Sequence, residues 1–320
     1  MTRVVAEGEK ARYHAPPNPW VGAMVVDARG VALGVGHTQV PGDAHAEVVA
    51  LRHAGEASRG ATLVVTLEPC SHTGRTGPCT QAIIEAGIKS VVVGTLDPDP
   101  RVAGSGVDAL RDAGIEVNVG VGEPAVREQL AAYLWHRETG RPYVVLKVAA
   151  TLDGVVAMAD GSSQWITGEA ARRDAHVLRA RSQAIIVGAG TVRRDDPRLT
   201  ARLDGVVLEP LRVVLGQAPP GAKVWPCWER SGDIGAVLDE LGAAGVLQAL
   251  VEGGPKTASA FIAAGVVNRV VWYVAPAMAG ATGTIGALVD VTTASIGDLR
   301  RGRLVDVRAV GEDVRMELEV

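Results

Sequence analysis

Three side chains constrain this sequence more than any other feature: His45, in His45-Ala46-Glu47, and Cys70 and Cys79, each directly after a proline. One imidazole and two thiolates are the donor set of a zinc site with three protein ligands, the fourth tetrahedral position being left to water. A fold for this chain has to bring the three to one point. Glu47, two residues past the histidine, adds a carboxylate that need not bind metal and can carry protons. A structural zinc wants four closed protein ligands. No fourth Cys or His stands at a regular spacing; His72 is close, and reads better as a substrate-facing loop residue.

Around these residues strands alternate with helices. Residues 21–26 and 31–35 read as strands joined by a turn at 27–30. A helix over 44–54 has Asp43 placed to cap it. A buried strand over 61–67, a helix over 79–86 opening at Pro78, and a strand over 90–94 follow, and 106–113 and 115–119 repeat the helix-then-strand pattern. The alternation predicts a three-layer α/β domain. All three metal-ligand candidates are expected at helix starts, where the dipole and free N–H groups favour thiolate over thiol. The pattern breaks at 138–142, which places a boundary between domains 1–140 and 141–320. Beyond it, a strand over 143–149, a helix over 168–182 capped by Thr167, and strands over 184–187, 211–215, 247–251 and 269–274 predict a second α/β domain. Residues 304–310 and 314–320 are expected to close it as an antiparallel pair.

Composition narrows the classes. A chain of 320 residues has room for two full cores, and 47% hydrophobic with 21% charged residues is ordinary for a globular protein. A net charge of −4 and a pI near 6.0 speak against a nucleic-acid-coating surface. No apolar run is long enough to cross a membrane and no leader pattern opens the chain, so a cytoplasmic protein is expected. Beyond the two metal-ligand candidates only Cys227 remains, so no disulfide framework is implied. Aromatic residues are 3%, so Val, Leu, Ile and Ala must build the cores, as suits a parallel sheet under helices.

The His-x-Glu and two-cysteine set is the signature of a zinc-dependent deaminase. Zinc would make a water nucleophilic near neutral pH, and Glu47 would take its proton and return it to the leaving amine. Nucleotide and nucleic-acid deaminases commonly place two residues between their cysteines; here eight intervene, residues 71–78. That insert is polar and carries Arg75 beside Thr76, which suits an anionic group on a small molecule. In the second half, Gly188-Ala189-Gly190-Thr191 and Glu252-Gly253-Gly254-Pro255-Lys256-Thr257 each follow a strand, where backbone N–H groups can approach phosphates. Neither forms the full dinucleotide fingerprint. Arg172, His176 and Arg179 share a helix face. Arg179 and Arg202 are the candidates for phosphate contact, whereas Arg193 and Arg194 read as solvated.

Several motifs resemble the bifunctional deaminase–reductases of riboflavin biosynthesis. In the first half these are Asn18-Pro19 with Val21-Gly22-Ala23, Gly36-His37, His45-Ala46-Glu47, Glu68-Pro69-Cys70-Ser71-His72, Gly74-Arg75-Thr76, Cys79, and the run from Asp97 to Gly106. In the second they are the run from Lys147 to Gly154, Ser163-Gln164-Trp165-Ile166-Thr167, Val187 to Thr191, Asp195-Asp196-Pro197 with Leu199-Thr200 and Arg202, and Glu252-Gly253-Gly254. The resemblance implies a cytidine-deaminase-like three-layer domain followed by a dihydrofolate-reductase-like α/β domain, using zinc and NADPH. It implies zinc on His45, Cys70 and Cys79, with Glu47 catalytic. Ala149, Trp165, Thr191, Asp195 and the loop Gly254, Pro255, Lys256, Thr257, Ala258, Ser259 and Ala260 would hold NADPH. Ser163, Arg179, Leu199, Arg202 and Glu252 would contact the substrate, with Lys147 reaching the sugar.

The implied chemistry is hydrolytic deamination of 2,5-diamino-6-ribosylamino-4(3H)-pyrimidinone 5′-phosphate, then NADPH-dependent reduction of ribosyl to ribityl. Implied partners are a small phosphorylated pyrimidine and other copies of the chain as a homo-oligomer, with no nucleic acid and no membrane. The chain departs from the family at Gly216-Gln217, where Asp-Ser is usual, at Gln183, where Asp is common, and at Asp99, where Asn is common. The stretch 217–246 is short, and little helix precedes Asn18, so a start further upstream is expected. Two readings compete: a nucleoside or tRNA-base deaminase with a non-catalytic second domain, and a non-enzymatic reading with structural zinc and a second domain that merely binds a nucleotide or mediates assembly, which for the reductase half alone leaves a deaminase with a degenerate nucleotide-binding second domain.

Overall fold

The structure, a computed structural model, describes every residue except 73–76, 204, 281 and 292. Arg75 and Thr76 therefore lie outside the described residues. The chain divides into two compact units, Met1–Gly140 and Arg141–Val320.

In the first unit, in chain order, come α1 (Thr2–Glu9), β1 (Gly22–Val26), β2 (Ala32–His37), α2 (Ala46–Ala54), β3 (Thr62–Leu67), α3 (Cys79–Glu85), β4 (Ser90–Thr95), α4 (Ser105–Asp112), β5 (Glu116–Val119), α5 (Glu123–Gln129) and α6 (Ala131–Thr139). Among the described residues five strands form one sheet in the order β2-β1-β3-β4-β5. β1 runs antiparallel to both neighbours, and β3, β4 and β5 run parallel. Register sorts the faces: Gly22 lies opposite His37, and Ala23 opposite Gly36. Adjacent positions on a strand point to opposite faces, so Gly22 and Gly36 serve opposite layers. A Cβ on Gly22 would sit 2.0 Å from the Val4 carbonyl oxygen, so α1 lies directly on the sheet. On the other face, a Cβ on Gly34 or Gly36 would sit 2.2 Å from the Ala50 oxygen or 2.5 Å from the Ala46 oxygen. These glycines let α2 approach backbone to backbone, which sets the depth of its first turn. The core between the layers is β-branched and small, with Ala23, Val25, Leu63, Val65, Ile83, Val91 and Val93 fully buried.

Gly36→Ala is expected to destabilise the protein by about 1–3 kcal/mol or more through overpacking. It is also expected to lower zinc content, because α2 must move. An unchanged melting temperature with full zinc occupancy would contradict this.

The second unit contains β6 (Tyr143–Thr151), β7 (Val155–Ala157), α7 (Glu169–Ala180), β8 (Ala184–Gly188), α8 (Ala189–Asp195), β9 (Ala201–Leu203), β10 (Val206–Leu208), β11 (Leu211–Leu215), β12 (Trp228–Arg230), α9 (Ile234–Ala243), β13 (Gln248–Val251), α10 (Pro255–Ala263), β14 (Arg269–Ala275), β15 (Ile285–Gly286), β16 (Arg303–Val310) and β17 (Asp313–Glu319). Its main sheet, among the described residues, has the order β12-β11-β8-β13-β6-β14-β17-β16. The first six strands are parallel and the last two are added antiparallel, so the expected closing pair is present.

Alternation along β6 divides the faces. Val144, Leu146, Val148 and Ala150 join a core with Val237, Leu238 and Leu241 of α9 and Ala258 and Phe261 of α10. Lys147 and Ala149 therefore point to the opposite face, where α7 lies. There Tyr273, paired with Ala149, donates its hydroxyl to Asp174 of α7 at 2.5 Å. The C-terminal ends of β8, β13 and β6 lie side by side, the edge of a parallel sheet where ligand-binding loops collect.

Three local expectations are corrected. Asp43 does not cap α2: His45 is the N-cap, and there is no side-chain cap bond there. Thr167 does not cap α7 either. Gly168 is the N-cap, and its N–H donates to Asp313 Oδ2 at 2.8 Å, a cap supplied from β17 across 145 residues. Cys70 is not at a helix start of its own, but in the loop after β3.

Candidate active sites

In the first unit the two helix starts that do carry ligand candidates face one strand end. His45 caps α2 in extended geometry, Cys79 is the first residue of α3, and Cys70 follows β3 by three residues. His45 Nδ1 is 3.2 Å from Cys79 Sγ and 3.6 Å from Cys70 Sγ, and all three donor atoms lie within 4.8 Å of one another. A tetrahedral zinc with ordinary N and S bond lengths needs donors about 3.6 Å apart, so the cluster is close to the spacing the ion requires. Among the described residues it is the one group of this kind, and His72 is not part of it. His72 Nδ1 is buried without a hydrogen-bond partner in the loop beyond Cys70.

The backbone N–H of Cys79 points at Cys70 Sγ, 3.5 Å away, so Cys70 meets a helix N-terminus after all, that of α3. Hydrogen bonding from Cys79, and then from His45, holds the Cys70 thiol down to about 4. The bond to Cys70 also raises His45, and it pushes Cys79 up. Glu47 lies in the first turn of α2, 4% exposed, and burial raises its carboxyl above the usual range. A buried carboxylate beside two sulfur donors and an imidazole is a proton carrier next to a cation site.

In the sequence Glu68 stands only as part of a motif. It is buried, and its carboxylate accepts four backbone N–H groups: Asp97 and Gly104 on Oε2, Gly106 and Val107 on Oε1. The signal available in sequence is an acidic residue directly before Pro-Cys at the end of an apolar strand. Asp99 accepts from the Arg101 backbone N–H and from Nε and Nη2 along one edge of the Arg101 guanidinium, which hold its carboxyl down at about 2. The departure at this position thus brings its own counter-charge.

In the second unit the two glycine loops adjoin. Gly188 caps α8 and Gly254 caps α10, and Gly254 N–H donates to Thr191 Oγ1 at 3.2 Å. Thr257 fills the space beside both loops: a Cβ on Gly188 would lie 2.6 Å from its Oγ1, and one on Gly253 2.3 Å from its Cβ. Gly190 faces open space. Two helix N-termini with a clear approach fit the phosphates of a dinucleotide. Of the loop residues named for NADPH, Gly254, Pro255, Lys256 and Thr257 lie at this opening and Ala260 is exposed. Ala258 and Ser259 are buried, and Ser259 Oγ accepts from Val289 N–H. Asp195 closes α8, where burial raises its carboxyl. Trp165 is 70% exposed, with the Arg172 guanidinium 4.8 Å above its ring.

The substrate candidates divide. Arg179 grips Glu252 with two parallel bonds, Nε to Oε1 at 2.7 Å and Nη2 to Oε2 at 2.8 Å, and donates Nη1 to the Thr200 carbonyl. Burial works to raise Glu252, but Arg179 and Lys147 outweigh it and hold the carboxyl below its usual range. Burial lowers Lys147. Arg202 is exposed and contacts His176 and Thr200. Leu199 has a buried side chain and a positive φ of 54°, so only its backbone is presented. Ser163 is half-buried in the segment before α7.

The remaining departures are structural. Gln183 Oε1 accepts from Gln248 N–H and its carbonyl from Leu211 N–H, tying three strands together, a task an aspartate oxygen could share. Gly216 sits at φ 102° at the end of β11, a left-handed position that favours glycine.

Comparison with known proteins agrees over both halves. The family model of the cytidine and deoxycytidylate deaminase zinc-binding region matches residues 1–95, and that of the RibD C-terminal domain matches 142–316. The chain is 40% identical over 344 residues to riboflavin biosynthesis protein RibD of Aquifex aeolicus, covering 98% of this chain and 96% of that one. It is 45% identical over 313 residues to the protein of the same name from Mycobacterium tuberculosis, covering 94% and 91%. Acinetobacter baumannii RibD superposes with a TM-score of 0.93 at 36% identity, over 100% of this chain and 97% of that one. A diaminohydroxyphosphoribosylaminopyrimidine deaminase/5-amino-6-(5-phosphoribosylamino)uracil reductase from Thermotoga maritima does so at 0.91 and 33%, over 100% and 97%. The matched second half favours two working activities over a degenerate nucleotide binder. No helix among the described residues is long and apolar enough to cross a membrane. The chain belongs to the RibD family, the bifunctional deaminase–reductases of riboflavin biosynthesis.

Proposed function

We propose that the unit Met1–Gly140 deaminates 2,5-diamino-6-ribosylamino-4(3H)-pyrimidinone 5′-phosphate and that Arg141–Val320 then reduces its ribosyl chain to ribityl. The observation that carries this reading is the meeting of His45 Nδ1, Cys70 Sγ and Cys79 Sγ beside buried Glu47. His45, Cys70 and Cys79 would hold zinc, which would supply the Lewis acidity that makes a water nucleophilic near neutral pH. The Glu47 carboxylate takes one proton from the attacking water and delivers it to the amine nitrogen as the ring C–N bond breaks and ammonia leaves.

In the second unit the starts of α8 and α10, with Thr191 and the loop Gly254–Thr257, hold the cofactor phosphates, while Ala149, Trp165 and Asp195 line the remainder of its site. NADPH held there would supply a hydride equivalent for the sugar C1; the bond from C1 to the ring oxygen breaks, and that oxygen takes a proton to become the C4 hydroxyl of the ribityl chain. Glu252 and Arg179 bind as a pair, presenting a fixed carboxylate edge, and Lys147, Ser163, Arg202 and the Leu199 backbone complete the substrate contacts. A homo-oligomer in the cytoplasm is the setting we expect.

The test is a coupled assay on metal-quantified protein with the diaminopyrimidine phosphate. Ammonia release is expected without NADPH, and NADPH oxidation only after deamination. Chelation should abolish the first and spare the second when deaminated substrate is supplied. NADPH oxidation absent on that substrate would reduce the second unit to a binding module, and ammonia release from free cytidine or tRNA would redirect the first.

A further inference from the structure

We propose that Glu68 is a positioning residue for deamination: by gripping the 97–104 loop and the first turn of α4, it locks the Pro69–Cys70 segment and so sets the Cys70 sulfur. The inference rests on the zinc reading of His45, Cys70 and Cys79. Cys70 has no helix of its own to place it, and Pro69 has no N–H to anchor the backbone. The segment is instead held from the side. Glu68 N–H still bonds the Thr95 carbonyl of β4, and its side chain then turns under the following loop. Oε1 accepts from Gly106 at 2.9 Å and Val107 at 3.2 Å, and Oε2 from Gly104 at 3.0 Å and Asp97 at 3.3 Å. A carboxylate offers about four acceptor sites, so the group is saturated, and it is buried at 4% exposure.

The start of α4 is pressed against the ligand segment. A Cβ on Gly106 would lie 1.9 Å from the Pro69 carbonyl oxygen, and Ser105 Oγ bonds Ser71 Oγ at 2.7 Å. On its other side Cys70 is framed by α3, through Thr80 N–H to its carbonyl and Cys79 N–H to its sulfur. Glu68 supplies the one side of this frame that the metal ligands do not.

The requirement is for a carboxylate, not for shape. In Glu68→Gln the amide oxygen satisfies one pair of N–H groups while its NH2 opposes the other pair, donor against donor. The isosteric variant should therefore fail to rescue. Zinc release from Glu68→Gln to a chromogenic chelator is expected to be about 10- to 100-fold faster than from wild type, as for other partners that orient metal ligands. The thiolate-to-metal absorption of the cobalt(II)-loaded protein is expected to shift and weaken. Reduction of supplied deaminated substrate should be unchanged, which separates this from general unfolding. Wild-type release and an unaltered cobalt spectrum would overturn the proposal, and so would loss of reduction in parallel with zinc. Should Glu68→Gln not fold, Ser71→Ala removes the Ser71–Ser105 bond alone. It should also speed zinc release, and unchanged release would overturn the proposal. A wild-type protein that takes up cobalt with no thiolate absorption overturns the zinc reading and this one together.

Discussion

Replacing Glu47 by Gln is expected to lower ammonia release about a hundred- to ten-thousand-fold, the usual contribution of a positioned acid–base group. The substitution keeps the volume of a side chain buried in the first turn of α2, so the helix that places His45 is not disturbed. It removes only the oxygen that can hold a proton. Zinc content should stay at the wild-type level, and so should NADPH oxidation on deaminated substrate. A neutral amide is also easier to bury than a carboxylate, so the melting temperature should not fall. Metal analysis, an ammonia assay and a thermal melt on one preparation check all three expectations. Turnover near wild type would remove Glu47 from the mechanism, and zinc loss would make it a structural residue.

Arg179→Met should be the most damaging change in the second unit. It leaves Glu252, whose side chain is 7% exposed, as a buried carboxylate without its bidentate partner. Breaking such a pair from one side costs about 3–5 kcal/mol. Lys147 offsets part of this, because its charge also acts on Glu252. Reduction should be lost, while ammonia release remains. The double variant Arg179→Met with Glu252→Leu is the informative control: replacing a whole buried pair by apolar groups is often close to neutral, so stability should largely return while NADPH oxidation stays absent. If the double variant is as unstable as the single one, the pair is not what the single substitution breaks. If reduction returns, neither residue belongs to the site.

Legibility varied with the range of the interaction involved. The strand–helix alternation could be read directly, because apolar periodicity is local. Short elements such as α8, β9, β10 and β12 were not distinguished, since three to seven residues carry little periodicity. The helix starts differ from the sequence expectation at α2, whose N-cap is His45 with no capping side-chain bond, and at α7, whose cap comes from elsewhere. Asp43 and Thr167 are good capping types, yet the free N–H at the start of α7 goes to Asp313, on a strand 145 residues away. Arg179 and Glu252 are each expected at the substrate, but nothing in a sequence separation of 73 announces that they face each other. Glu68 was visible only as a neighbour of Cys70, because its four partners lie 29 to 39 residues downstream.

By itself the sequence determined the donor types: one imidazole, two thiols and a carboxylate two residues from the histidine, a set whose chemistry follows from its ligands whatever fold carries it. It also determined the layered α/β class through local periodicity. Only the tertiary structure decided that the three donors meet, through the glycines of β2 that let α2 lie on the sheet and through the N-terminus of α3 aimed at Cys70. It alone paired Arg179 with Glu252 and gave Glu68 its loop. The physical reason is that donor chemistry is a property of single residues, whereas close approach and charge pairing belong to pairs of residues that meet only once the strands are in register.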